Sequence, residues 1–425
     1  MTATIAGVRA RRVWDSRGRP TVEAEITLAD GRNGRAIAPA GASRGAREAI
    51  DLRDGGPRFG GMDVLQAIAN VNGAIAAALI GHDAADQAGI DAALVALDGT
   101  PDKARLGGNA TIAVSLATAH AAAASAGVPL WRYLAGSGPV SLPQPEIQIF
   151  GGGAHAGRRI DVQDLMVIAT GAATFADALA MTAEVYRAAG ELMQDAGQLL
   201  GVADEGGWWP AFDSNEAALE MLVRAIERAG YRPGAEVALS LDIAASEFGR
   251  DGRYRLGLEQ RELDRDGLAE MLLGWLDRYP IVAIEDPFGE DDRDGWIAFA
   301  RVAGRRVQII GDDYLTTNAL AVERAAADGA CTAVLIKPNQ AGTLTETLAA
   351  LRAGKAAGFG TIVSARSGET EDVSIVHLAV GWNAGQLKVG SFARSERMAK
   401  WNEALRIEEM LGGAASFARP MAWPA

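Results

Sequence analysis

The chain has 425 residues, more than one ordinary hydrophobic core organises, which points to two domains. With 49% apolar and 22% charged residues it has a soluble globular composition, and its net charge of −13, from 41 basic and 54 acidic residues, argues against nucleic acid or an anionic membrane as main partner. The lone Cys331 excludes an internal disulfide and fits a reducing compartment; with no signal-peptide core and no run of about 18 apolar residues, the expected location is the cytoplasm.

Residues 4–14 and 21–28 flank a turn-rich link. In the second run Val22, Ala24, Ile26 and Leu28 alternate with Thr21, Glu23, Glu25 and Thr27, the period of a half-buried strand in an antiparallel hairpin. A third strand at 35–38 leads into the Gly- and Ala-rich segment 39–45, which is too small to pack well and is expected to be mobile. Helical periodicity follows at 64–80, 83–97 and 109–126, so the first part reads as an α+β domain. Three prolines and two glycines in 135–145 place the domain boundary there, giving domains over 1–138 and 139–425.

Beyond it, strands are expected at 146–150 and 164–168, then a long helix at 175–196 and a loop at 201–210. From 237 four apolar runs each end in a charged residue: Asp242, Glu285, Asp312 and Lys337. Short apolar runs without alternation are what parallel strands buried on both faces look like. Helical segments such as 267–279 and 319–327 separate them, and the rhythm continues through 361–364 and 385–388 to a closing helix at 394–410. This is the pattern of an α/β, TIM-barrel-like βα-barrel, in which chemistry gathers at the C-terminal strand ends.

Three carboxylates converging at one barrel mouth repel one another, and a hard divalent cation such as Mg²⁺ removes the conflict through all-oxygen ligation. Lys337 beside such a cation loses its proton more readily and acts as a base. Taken singly, each is an ordinary strand-end charge; four in succession are not. Glu205, in the 201–210 loop, reads by itself as a solvated carboxylate; facing Lys337 across a metal site, it would give the acid opposite a base that a β-elimination requires. Arg366, Ser367 and Lys388, after later strands, offer contacts for phosphate and carboxylate. Residues 151–157 fit a dinucleotide Gly-x-Gly-x-x-Ala pattern, but a first βαβ unit is missing around them. With four histidines in all, a His-rich metal site is not expected: His82, His120 and His377 read as structural, while His155 sits in the Gly-rich loop near the mouth.

The ordered motifs Asp15-Ser-Arg-Gly-Arg-Pro-Thr-Val-Glu23, Leu106-Gly-Gly-Asn-Ala110, Asp204-Glu-Gly-Gly207, Ile284-Glu-Asp-Pro-Phe288, Lys337-Pro-Asn-Gln340, Ser367-Gly-Glu-Thr-Glu-Asp372 and Arg394-Ser-Glu-Arg-Met-Ala-Lys400 resemble those of the enolase (phosphopyruvate hydratase) family over nearly the whole length. The resemblance implies an enolase-type barrel behind an N-terminal capping domain and a Mg²⁺-dependent hydro-lyase interconverting 2-phosphoglycerate and phosphoenolpyruvate, as in glycolysis. It implies two Mg²⁺ ions, one on Asp242, Glu285 and Asp312 and one on Ser43. Lys337 would be the base and Glu205 the acid, with Asp164 and His155 near the leaving group. Substrate contacts would come from Ser43, Gln163, Arg366, Ser367 and Lys388. A homodimer is also implied, with an intersubunit ion pair falling on Glu23 and Arg406.

The chain departs from the family at Ala365, where a His is usual, at Asp164, where Glu is usual, and at Gly151 and Trp208-Trp209. Arg44 stands in a loop that usually carries Thr there. These departures are expected around the substrate. They leave three readings open: an ordinary enolase, a relative resembling the carboxyphosphonoenolpyruvate synthases of phosphinate antibiotic pathways with a phosphonate-bearing substrate, or a binding or scaffold protein on an enolase frame.

Overall fold

The computed structural model describes residues 3–418. Strands β1 (Ile5–Trp14), β2 (Pro20–Leu28) and β3 (Asn33–Ile37) form an antiparallel sheet in that order. The turn between the first two is held by one side chain: Asp15 Oδ1 accepts from the backbone N–H groups of Arg17 at 2.8 Å and Arg19 at 2.9 Å. The Ala-rich helix Gly108–Ala126 lies across β2 and β3 and is buried around almost its whole circumference, as small side chains allow. The helical pattern at 64–80 is interrupted by one wide turn, Val71–Ile75. It projects Asn72 toward β1, where its amide exchanges two hydrogen bonds with the backbone of Ala10 at 2.7 and 3.1 Å.

Eight strands close a barrel in sequence order: β4 (Gln144–Gly151), β5 (Asp164–Ile168), β6 (Ala238–Asp242), β7 (Ile281–Glu285), β8 (Gln308–Gly311), β9 (Ala333–Ile336), β10 (Gly360–Ser364) and β11 (Gln386–Ser391). One strand departs from the parallel direction of the rest: β5 is antiparallel to both neighbours. The physical reason is the length of the preceding link: only residues 152–163 separate β4 from β5, with a single 3₁₀ turn, Gly153–Ala156. A parallel neighbour requires a helical crossover, whereas an antiparallel one does not.

Thr174, Ser214, Asp264, Asp292, Asn318 and Thr343 each accept a backbone N–H three residues on and so start the helices Phe175–Asp195, Asn215–Arg228, Arg265–Arg278, Arg293–Ala303, Ala319–Asp328 and Leu344–Ala356. A short hairpin sheet within residues 249–264, not anticipated from the sequence, stands at the rim. Among the described residues no helix is long and apolar enough to cross a membrane. Cys331 is buried and makes no disulfide.

Segment 39–45 is tied to the barrel rather than loose. Ala40 and Gly368 exchange backbone hydrogen bonds of 3.0 and 2.8 Å, and Ala42 N–H donates to Ser367 Oγ at 3.2 Å. A side chain at Gly41 would collide with the Arg366 guanidinium, since a Cβ there falls 2.0 Å from Nη2. The small residues that looked poorly packed permit this approach of the N-terminal segment to the mouth.

Candidate active site

Asp242 and Glu285 end β6 and β7; Asp312 and Lys337 follow β8 and β9; Arg366 and Ser367 follow β10; Lys388 lies in β11. Because β5 runs backwards, its first residue rather than its last reaches the mouth, and Asp164 pairs in register with Asp242. His155 comes from the 3₁₀ turn. Glu205 comes from the loop between the helices Phe175–Asp195 and Asn215–Arg228, which is pinned by Ser391 N–H donating to the Glu205 carbonyl at 3.0 Å. Gly206 follows at φ 95°, with a hypothetical Cβ 2.5 Å from the Ala393 carbonyl, so a larger residue would push Glu205 out of place.

One cleft with about 20 Å³ of free space is lined by Ser43, His155, Gln163, Asp164, Glu205, Asp242, Lys337, Arg366, Ser367 and Lys388, together with Ala365. Glu285 and Asp312 do not line it; their carboxylates turn to the ammonium groups of Lys388 and Lys337. Lys388 Nζ donates to Glu285 Oε2 at 2.8 Å and Asp242 Oδ2 at 2.9 Å, with Asp164 Oδ2 at 3.3 Å. Gln163 Nε2 donates to the same Asp242 oxygen at 3.1 Å. Lys337 Nζ pairs with Asp312 Oδ2, whose other oxygen accepts from Gln340 Nε2 at 2.9 Å.

Burial opposes the Lys337 charge, but Asp312 outweighs it and raises the ammonium pKa; burial likewise opposes ionisation of Asp312, and Lys337 reverses this and lowers it. Burial and then Asp242 push Glu285 well above the ordinary carboxylate range, against the pull of Lys388. Burial also disfavours the His155 imidazolium, yet Glu205 and Asp164 overcome it and raise its pKa to about 9. At neutral pH the ring is therefore charged and donates from both nitrogens, to Asp164 Oδ1 at 3.1 Å and Ser367 Oγ at 3.1 Å, with Glu205 Oε1 at 3.6 Å.

Among the described residues two groups of three ligand-type side chains have donor atoms within 4.8 Å of one another, His155–Asp164–Glu205 and Asp286–Asp312–Asp313. The set expected from the sequence, Asp242–Glu285–Asp312, is not among them, because each member faces an ammonium. Asp286 is already committed: at φ 41° its two oxygens accept the backbone N–H groups of Asp312 at 2.9 Å and Asp313 at 2.8 Å, which fixes the chain that presents Asp312. Glu285 Oε1, by contrast, is buried with no hydrogen-bond partner. A buried carboxylate oxygen left without a partner is the kind of hard donor that a divalent cation such as Mg²⁺ takes, and acidic clusters that could hold a metal stand at this mouth.

Of the departures, Ala365 and Asp164 line the cleft. Trp208 does not: its ring stacks on Tyr186 at 4.7 Å and its Nε1 donates to the Tyr186 carbonyl at 2.9 Å. Gly151 also lies outside the lining; a Cβ there would sit 2.7 Å from that of Ala203. Arg44 is exposed and outside the lining. Fewer of the departures line the cleft than the sequence suggested.

Several residues around the site were not singled out from the sequence. Gln148 joins Asp164 to Gly207, donating to the Asp164 carboxylate through Nε2 and accepting the Gly207 N–H at 2.9 Å. Arg397 is fully buried; Nη1 donates to the carbonyls of Arg366 at 2.7 Å and Val389 at 2.9 Å, and Nη2 to that of Ser367 at 2.6 Å. Thr317 Oγ1 donates to Gln340 Oε1 at 2.6 Å and accepts the Lys337 N–H at 2.9 Å. Gln340 and Arg397 stood in recognised motifs, which was the available signal. Glu23 pairs within its own chain with Arg11 at 2.5 Å and Arg35 at 3.3 Å, and Arg406 with Glu403 at 2.9 Å.

Two family models match. Residues 5–134 match the enolase N-terminal domain and residues 139–422 the enolase C-terminal TIM barrel domain. The chain, a closed barrel of eight strands behind an α+β domain, belongs to the enolase family and is an enolase-superfamily lyase.

Proposed function

We propose that the protein is a Mg²⁺-dependent hydro-lyase that removes water from 2-phosphoglycerate or a close analogue. The observation that carries this reading is the company Lys337 keeps: it lines one small cleft with Glu205, His155, Asp164 and Asp242, while Glu285 and Asp312 pair with two of the lining residues, Lys388 and Lys337. Asp242, Glu285 and Asp312 would hold one cation and Ser43 a second. Bound Mg²⁺ supplies charge stabilisation for the substrate carboxylate as its α-carbon loses a proton.

Lys337 takes that proton at Nζ. It must be neutral to do so, and its contact with Asp312 favours the ammonium, so the base form requires that carboxylate to be engaged elsewhere. Glu205 delivers a proton to the departing hydroxyl. The charged His155 ring holds Glu205 and Asp164 in line, while Arg366, Ser367, Lys388 and Gln163 bind the anionic ends of the substrate.

A second reading is favoured by one observation: Ala365 puts a methyl group into the cleft between Ser364 and Arg366. That leaves room at the phosphoryl end for a bulkier group, such as a carboxylated phosphonate. The deciding experiment is a spectrophotometric assay of purified protein with 2-phosphoglycerate and Mg²⁺. Phosphoenolpyruvate formation at the rate of an ordinary enolase supports the first substrate; slow turnover that a phosphonate analogue restores supports the second; none with either defeats the lyase reading of the site and leaves a binding role. We also infer a homodimer acting in the cytoplasm, divided into domains at residue 138, where the two family matches leave residues 135–138 unassigned.

A further inference from the structure

Glu146 is a buried carboxylate that the proposed reaction leaves unused. It lies in β4, is 0% exposed, and pairs in register with Lys388 of β11, so both side chains project from adjacent strands to the same side of the sheet. The Ser240 hydroxyl, on β6, donates to Glu146 Oε1, which fixes the carboxyl group; Oε2 is buried and has no partner. Burial pushes the Glu146 pKa upward, and the Lys388 ammonium is the largest influence acting against it.

Lys388 spends its donors on Asp242 and Glu285, with Asp164 slightly farther. A divalent cation held by Asp242 and Glu285 would repel an ammonium sharing the same oxygens, and a desolvated ammonium must find other acceptors. Of the buried carboxylate oxygens here without a hydrogen-bond partner, Glu285 Oε1 belongs to the cation's own ligand, which leaves Asp164 Oδ2, already 3.3 Å from the ammonium, and Glu146 Oε2. The first belongs to a residue that lines the cleft; the second does not.

We propose that Glu146 is a positioning residue that takes one donor of the Lys388 ammonium, leaving the others toward the cleft, when a divalent cation claims Asp242 and Glu285. This rests on the reading that those two carboxylates hold the cation. Glu146 and its Ser240 tether thus form a second seat that lets metal enter without stranding a buried positive charge.

The test is calorimetric titration of the whole protein with Mg²⁺ alone, without substrate. Glu146→Gln is expected to weaken Mg²⁺ binding by roughly tenfold, the scale of outer-shell changes at metal sites. In a Lys388→Met background the same substitution is expected to have little effect, because no ammonium remains to be relocated. Unchanged affinity in Glu146→Gln, or an equal loss in both backgrounds, overturns the proposal. Should Glu146→Gln not fold, Ser240→Ala, which leaves the carboxyl group but removes its tether, is titrated in the same two backgrounds with the same expectations. No Mg²⁺ binding by the unmodified protein defeats the metal reading and this inference together, whereas normal binding that ignores both substitutions defeats this inference alone.

Discussion

Arg366 and Glu48 form a buried two-point ion pair, Nη1 to Oε2 at 2.9 Å and Nη2 to Oε1 at 3.2 Å, that joins the N-terminal domain to the barrel mouth. The same Nη2 donates to the Ser43 carbonyl at 3.0 Å, and Gln340 Nε2 reaches Glu48 Oε1 at 3.2 Å. One guanidinium thus ties the Ser43 segment to the groups expected to meet substrate. Removing one partner of a buried pair strands the other charge. Glu48→Ala is expected to cost about 3–5 kcal/mol in denaturant unfolding. A loss below about 1 kcal/mol, the range of exposed pairs, would show that the interface does not depend on this contact.

The metal assignment makes a separate demand. Asp312→Asn removes a charge from the cation site and the partner of Lys337. It is expected to weaken Mg²⁺ binding by more than the roughly 10–100-fold that outer-shell changes cost, with turnover lost and the circular dichroism spectrum unchanged. Activity at the unmodified protein's Mg²⁺ requirement would remove Asp312 from the ligand set.

Division of labour between acid and base is read from isotope exchange. Lys337→Ala is expected to stop exchange of the substrate α-proton with solvent. Glu205→Gln is expected to preserve that exchange and block loss of the hydroxyl, because the base and the acid act on different protons. Equal loss of exchange in both variants, with substrate still bound, would contradict the assignment.

His155 links the site to pH. Its pKa rises from 6.5 in the unfolded chain to about 9 in the folded one, through Glu205 and Asp164 acting against burial. A raised pKa contributes stability that is fully present below about pH 6.5 and is lost as pH climbs through about 9. Imidazole NMR of the metal-free protein should show one ring titrating near 9, and His155→Asn should flatten the decline of stability between those limits. A His155 resonance titrating at or below 6.5 would contradict the imidazolium assignment.

Substrate preference turns on Ala365 and Asp164. An imidazole donor absent at 365 removes a charge-assisted hydrogen bond worth roughly 1.5–3 kcal/mol. At about 1.4 kcal/mol per tenfold, kcat/KM for 2-phosphoglycerate should fall one to two decades below that of an ordinary enolase. Asp164→Glu, which lengthens the carboxylate that Gln148 and His155 hold by one oxygen, together with Ala365→His should recover part of it. Ordinary efficiency in the unmodified protein would end the specialised reading.

The sequence by itself determined the two-part architecture and the row of strand ends, because apolar runs ending in Asp242, Glu285, Asp312 and Lys337 are local patterns whose period and spacing survive any packing detail. The motifs identified the family, which the domain matches establish. What only the tertiary structure decided are relations between distant residues. The reversed β5 that delivers Asp164 to the mouth follows from a short link, and its direction becomes visible only through its pairing with Asp242. The anchoring of the small-residue segment through Arg366 and Glu48 joins positions 318 residues apart, and a Gly-rich stretch reads as loose until its partner is known. In the sequence Glu146 opens an expected strand and is given no role there. Its place beside Lys388 depends on closure of the barrel between its first and last strands, which no local pattern encodes.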